Sequence, residues 1–280
     1  MKILIDTDLL TDDVTAYTAS SSDASYPAAN MRDDYPGNVW KAASGTSATI
    51  TLNVSDGSAV ALFNINATDV KIFYGTGDSY VNESGFANES GYAYSPIDPS
   101  AILKSFNLSG TAGKVWAEYP YQSGETYIYE SGYANESGYA NSGSDHVVTI
   151  LLTATGVPSV GIVRAGKVEE FRNPGYGGMA EGSVDYSIQA QMPNGANYFR
   201  KRSVVRTHSG LSMLETRANA FIFKHKIFDA VGPMPLPVRI TADSITDDEF
   251  IVFAKRTAPI NIEHITSTYT RINFGLLEVV

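Results

Sequence analysis

The chain is written almost entirely in short apolar or alternating runs, each closed by Gly, Asn, Asp, Ser or Pro, which is the pattern of strands joined by tight turns. KILID, SATITLNV, AVALFNI, VKIFY, KVWAEY, HVVTILLTA and SVGIVRAGKV follow one another in the first part. SVDYSIQAQM, YFRKRSVVRTH, AFIFKHKIF, LPVRIT, EFIVFAK, INIEHI and TRINFGLLEVV continue the series. In SATITLNV the apolar residues recur at every second position, the period that sends them to one face of a sheet. The most periodic helical window, LSMLETRANAF, is short. Seventeen tyrosines, twelve phenylalanines and 24 glycines supply the β formers and turn formers such a chain needs. The expected fold class is all-β.

A length of 280 residues suits two ordinary cores. The glycine-rich stretch RNPGYGGMAEG, from Arg172, marks the change between them. The sequence therefore reads as a jelly-roll β-sandwich over residues 1–169 and a second C-terminal β domain over 170–280. There are no cysteines, so disulfides, thiolate metal sites and thiol nucleophiles are excluded. The formal charge of −10 opposes a grip on phosphate backbones, and nucleic acid is not an expected partner. No apolar stretch reaches membrane-spanning length, and MKILIDTDLL lacks the long apolar centre of a secretion signal, so synthesis in a cytoplasm is expected.

One internal repeat stands out. YVNESGFANESGYAYSPID begins at Tyr80 and YIYESGYANESGYANSGSD at Tyr127, and within each the hexad E-S-G-(F/Y)-A-N recurs. Small residues, turn formers and one aromatic per copy fit two long excursions, 80–98 and 127–145, out of neighbouring strands. Their aromatics, Tyr80, Phe86, Tyr92, Tyr127, Tyr133 and Tyr139, are candidate contact residues, since aromatic rings give broad contact at small entropic cost. Their acids, Glu83, Glu89, Glu130 and Glu136, face water or a basic partner. The one basic cluster, YFRKRSVVRTH, puts Arg200, Arg202 and Arg206 on one face of a strand and Lys201 on the other. It forms either a solvated face or a subunit contact matched to those four glutamates.

Catalytic and metal patterns are weak. Asp6, Asp8, Asp12 and Asp13 in DTDLLTDD lack the glycine and closing glutamate of a calcium loop. His146, His208, His225 and His264 are scattered singly, without ligand spacing. Asp247, Asp248 and Glu249 form a short acidic run suited to a solvated turn. GYGGMAEG has no phosphate-binding lysine. The expectation is a non-enzyme with no cofactor and no metal.

Two resemblances follow from longer stretches. YPAANMRDDYPGNVWKA, then GTSATITLNV, then AVALFNINATDVKIFY, closing with HVVTILLTATGVPSVGIVRAGKV, resembles a discoidin or galactose-binding-type jelly roll. The resemblance implies that Trp40, between a loop and a strand, packs against the sandwich, and that neighbouring loops hold a glycan or a structural cation. A lone aromatic there fills a core more often than it serves as a sugar platform. The whole chain, with its VWKAASGTSATITL line, its VGIVRAGKV hairpin and its terminal GLLEVV, resembles tail-tip proteins of tailed bacteriophages, including distal-tail ring subunits. That resemblance implies a structural virion component of a tail tip or baseplate, partnered by further copies of itself and other tail proteins, with a host-surface glycan as a further partner. The alternative is a lectin-like, glycan-binding host-recognition protein.

Overall fold

The computed structural model describes residues 1–6, 17–35, 37–54, 57–76, 102–108, 113–119, 146–175, 179–191, 197–201, 204–240 and 250–279. The first part carries β1 (Lys2–Asp6), β2 (Tyr17–Ala19), β3 (Trp40–Lys41), β4 (Ser47–Val54), β5 (Ala59–Asn66), β6 (Asp69–Thr76), β7 (Ile102–Asn107), β8 (Val115–Glu118), β9 (His146–Thr153) and β10 (Ser159–Glu170). The second carries β11 (Ala180–Asp185), β12 (Ile188–Gln191), β13 (Asn197–Arg200), β14 (Val204–Thr216), β15 (Leu236–Arg239), β16 (Ile251–Arg256), β17 (Asn261–His264) and β18 (Tyr269–Glu278). Among the described residues the strand pairings are antiparallel, and the chain is all-β with a jelly-roll-type sandwich and a second β domain.

The sandwich packs the sheet β2-β4-β9-β6-β7 on β3, β10, β5 and β8. Alternation does the work in β4, where Ala48, Ile50, Leu52 and Val54 turn inward and meet Val148, Ile150 and Leu152 of β9, Val70 and Ile72 of β6, and Val60 and Leu62 of β5. AVALF in β5 is apolar without interruption because both of its faces are covered. Its second face, Ala59, Ala61 and Phe63, lies in another cluster with Leu4, Trp116, Ile162, Ile251 and Phe253. This cluster joins the sandwich to β16 of the C-terminal half. Trp40 is fully buried in the sandwich core, and its indole N–H donates to Ser22 Oγ at 2.9 Å and to the Ser21 carbonyl at 3.2 Å.

The larger sheet runs β11-β14-β18-β16-β15-β1-β10-β5-β8, so it passes through both halves without a break. β1 sits between β15 and β10, with Lys2 opposite both Arg239 and Glu170. Met1 and Ile3 are buried in the second core, beside Leu211, Met213, Val238, Val252, Ile272 and Phe274. The two halves are clamped where β8 begins and β18 ends. There Lys114 Nζ donates to the Ile251 carbonyl at 3.1 Å and to the Glu278 carboxylate, and Arg206 Nε reaches Glu278 Oε2 at 2.8 Å. Burial pushes the Glu278 carboxyl up, but hydrogen bonds and charge from Arg206 and Lys114 outweigh it and hold the group below the usual carboxylate range.

Several segments differ from the sequence reading. AFIFKHKIF is helical rather than a strand: an α-helix over Arg217–Phe221 passes into a π-helix over Ile222–Phe228 and ends in Asp229–Val231. Thr216 caps it by accepting from the Asn219 N–H, and Ala220, Phe223, Ile227 and Val231 form one buried stripe on the second core. β-forming residues are accepted in this helix because the stripe is covered, with Phe223 centred 5.1 Å from Phe171 and 5.0 Å from Phe274. LSMLETRANAF divides, its first six residues finishing β14 and its remainder forming the α-helix. YFRKRSVVRTH is not one continuous strand either. Arg200 ends β13 and Arg206 belongs to β14, so no shared strand face links them.

Candidate functional site

Several long connections of the sandwich are rooted at a single end. β6 leaves the sheet at Thr76, whose partner across the ladder is His146, the first residue of β9. His146 also pairs with Val54, the last residue of β4. β7 returns at Ile102 against Phe73, while β8 ends with Glu118 opposite Ala59, where β5 begins. β2 enters with Tyr17 against Leu52. The roots of the hexad-bearing connections, 77–101 and 120–145, are therefore neighbours in one sheet and around one rim. Beneath them Tyr74 and Tyr119 stack with centroids 4.7 Å apart, and Tyr119 Oη donates to the Ala59 carbonyl at 3.4 Å.

The rim has its own charge cluster. Lys2 Nζ donates to Glu118 Oε2 at 2.6 Å, and the Trp116 indole donates to Oε1 at 2.9 Å. Arg239 stands 3.8 Å from the same carboxylate. Burial raises the Glu118 carboxyl, yet these bonds and the charges of Lys2 and Arg239 exceed it and leave the group below its ordinary value. Lys104, on β7, is depressed by burial, with Glu118 pulling in the opposite direction. The cluster gathers Lys2, Lys104 and Arg239 around the single carboxylate of Glu118 at the end of β8.

Tyr80, Phe86, Tyr92, Tyr127, Tyr133, Tyr139, Glu83, Glu89, Glu130, Glu136 and Arg202 lie outside the described residues. Arg200 is exposed on β13. Arg206 is turned to Glu278 of its own chain instead of standing beside Arg200. Asp8, Asp12, Asp13, Asp247, Asp248 and Glu249 are also outside the described residues. Among the described residues no group of three or more His, Cys, Asp or Glu could hold a metal ion, and no helix is long and apolar enough to cross a membrane.

The histidines separate into different settings. His225 Nδ1 lies 2.9 Å from Asp229 and His264 Nδ1 lies 3.2 Å from Thr270 Oγ1, both at the surface or partly so. His208 is 1% exposed in β14, and neither ring nitrogen has a hydrogen-bond partner. Burial lowers its basicity, with smaller opposing effects from Glu181 and Glu278 and reinforcing ones from Arg206 and Lys114. A histidine held neutral in the folded state binds its proton more readily when unfolded. Stability is therefore complete above about pH 6.5, the ordinary histidine value, and falls as pH drops toward the lower folded-state value. Urea unfolding between pH 5 and 8 is expected to show this loss, and His208→Gln is expected to flatten it. An unchanged pH profile in the variant would assign the dependence to other groups.

Sequence reasoning did not single out Arg164, which organises the approach to Trp40. Its guanidinium is buried and donates to the Met31 carbonyl at 3.0 Å, the Arg32 carbonyl at 2.9 Å and Asp34 Oδ1 at 2.8 Å. It thereby fastens the 3-10 turn Ala28–Arg32 to β10. The available signal was a single charge inside the apolar run SVGIVRAGKV.

The fold defines an all-β chain built on a sandwich module whose long connections are rooted at one rim. No protein-family model matches the sequence, and no curated protein matches it. Solved structures resemble a part of the chain. A Ruminococcus gnavus GH29 fucosidase in complex with fucose is 12% identical with a TM-score of 0.35, covering 59% of this chain and 28% of its own. The chain thus spans little more than a quarter of that enzyme. XRCC1, in a structure of its reduced form bound to the DNA polymerase β catalytic domain, is 14% identical with a TM-score of 0.32, covering 60% of this chain and 99% of the other. A Streptococcus pneumoniae fucose binding module is 10% identical with a TM-score of 0.31, covering 60% and 100%. Likeness at this level assigns no function to the chain.

Proposed function

We propose that the chain is a non-catalytic recognition protein that holds a host-surface glycan at the loop end of its sandwich. One observation carries this reading: Thr76 pairs with His146, so the two tyrosine-rich connections spring from adjacent strands. Tyrosine rings offer flat apolar faces for sugar C–H groups, and Asn and Ser side chains beside them supply hydrogen bonds for hydroxyls. Glycan-array binding by the full chain, with fucosylated glycans among the probes, tests it. Tyr133→Ala with Tyr139→Ala is expected to weaken binding about tenfold or more, the effect of losing aromatic contacts worth roughly 1.5 kcal/mol together. Thermal stability should stay unchanged. A full chain that binds no glycan on the array would overturn the reading.

The whole-chain resemblance to tail-tip proteins supports a second, compatible reading, in which this recognition end is carried by a structural component of a bacteriophage tail tip or baseplate. The protein would then be made in the bacterial cytoplasm and reside in the virion among other tail proteins. Mass spectrometry of purified virions decides this: the chain is expected among the tail proteins, and its absence there would remove the virion reading while leaving glycan binding to its own test.

A further inference from the structure

Two short ladders, β11 with the start of β14 and β12 with β13, form an arm. β11 pairs with β14 from Ala180 opposite Ser209 to Asp185 opposite Val204, and β12 pairs with β13 as a separate two-stranded sheet from Ile188 opposite Arg200 to Gln191 opposite Asn197. β18 supports β14 from Thr207 onward. Beyond that point, among the described residues, the arm is two strands wide. Every residue of β11, β12 and β13 is exposed.

Such a ribbon is marginal in water when it has no third strand or covering layer. This one nevertheless holds Val184, Tyr186, Ile188, Tyr198, Phe199 and Val204 in solvent, and Phe199 is 64% exposed. Single exposed apolar residues need no explanation, but six on one narrow ribbon mark a contact surface. The outer edge of β12, Ile188–Gln191, also carries no charge or proline to discourage contact with another chain.

Charge identifies the partner. The outer part of the arm, residues 186–203, contains Arg200, Lys201 and Arg202 and no acidic residue, its base adds Glu181, Asp185 and Arg206, and the arm is thus net cationic in a chain of 30 acids against 20 Lys and Arg. A polyanion such as nucleic acid would meet the arm's charge but not its aliphatic side chains, and would approach against the field of the rest of the molecule. A second copy offers both an acidic surface and exposed apolar side chains, such as Phe221 and Met234.

We propose that the arm is a self-association element that docks on the acidic body of a second copy. Each chain offers an arm and accepts one, a heterologous contact that closes into a ring or extends as a filament. The inference is independent of what the loop end binds.

Sedimentation of the full chain at low salt tests it. The chain is expected to form species above its 30.1 kDa monomer mass in the micromolar range and to dissociate as salt rises. Arg200→Glu with Lys201→Glu, both at exposed positions, is expected to weaken association about tenfold or more with an unchanged melting profile. Because the contact is heterologous, the charge-reversed chain should still accept a wild-type arm and so cap wild-type assemblies into shorter ones when mixed. A wild-type chain that stays monomeric, charge-reversed chains that assemble normally, or a folded wild-type chain that retains a polyanion in place of a second copy would each overturn the proposal.

Discussion

Replacing Trp40 with alanine is expected to lower the stability of the chain by about 3–5 kcal/mol, the range for truncating a large buried aromatic. The indole is fully buried between Met31, the β4 and β10 side chains and the turn that carries Ser21 and Ser22. Trp40→Phe keeps most of the volume but strips Ser22 Oγ of its donor, and should cost roughly 1–2 kcal/mol. Urea unfolding followed by circular dichroism measures both. A Trp40→Ala midpoint indistinguishable from wild type would mean that the indole is not a core residue.

The second large effect belongs to Arg164. Arg164→Met preserves apolar bulk on β10 but leaves the Met31 and Arg32 carbonyls without their donor and Asp34 without its counter-charge. The expected cost is about 3 kcal/mol, the sum of hydrogen bonds to a charged group at a largely buried site. Lysine should not restore it, because one ammonium cannot reproduce the planar fork that reaches Met31, Arg32 and Asp34 together. Asp34 is partly exposed, so Asp34→Asn should cost much less. If Arg164→Lys were as stable as wild type, the fork geometry would not be what holds the turn.

How far such features can be read from sequence depends on whether a residue's neighbours are local. The alternation in SATITLNV is a property of eight consecutive residues, and β4 forms with that inward and outward pattern. Trp40 at the junction of loop and strand is legible for the same reason. The helical stretch from Arg217 is not, since AFIFKHKIF has strong β formers and is helical because Phe171, Phe274 and the second core cover one stripe of it. Arg164 gave a signal, a charge in an apolar run, but its partners lie about 130 positions away in sequence. The hexads lie outside the described residues, and what the register of β6 on β9 adds is that the roots of the two connections that carry them are neighbours. Nothing local in YFRKRSVVRTH foretold that Arg206 would close on Glu278, because that contact needs β14, β18 and β8 to be assembled first.

The position of β1 has a consequence for how the chain reaches this fold. It is synthesised before both of its partners, and β10 and β15 are separated from it by more than half the chain on each pairing. Closing loops of that length before any ladder bond forms makes folding slow and topology-limited. Until residues near Arg239 are available, β1 has one of its two edges unsatisfied, and Met1 and Ile3 have no core to enter. Early intermediates should therefore protect the β4-β9-β6 ladder in pulse-labelled hydrogen exchange well before the amides of Lys2 to Asp6 become slow. A nascent chain stalled after β10 would present β1 as a sticky edge, so timely completion of synthesis is itself a safeguard against aggregation.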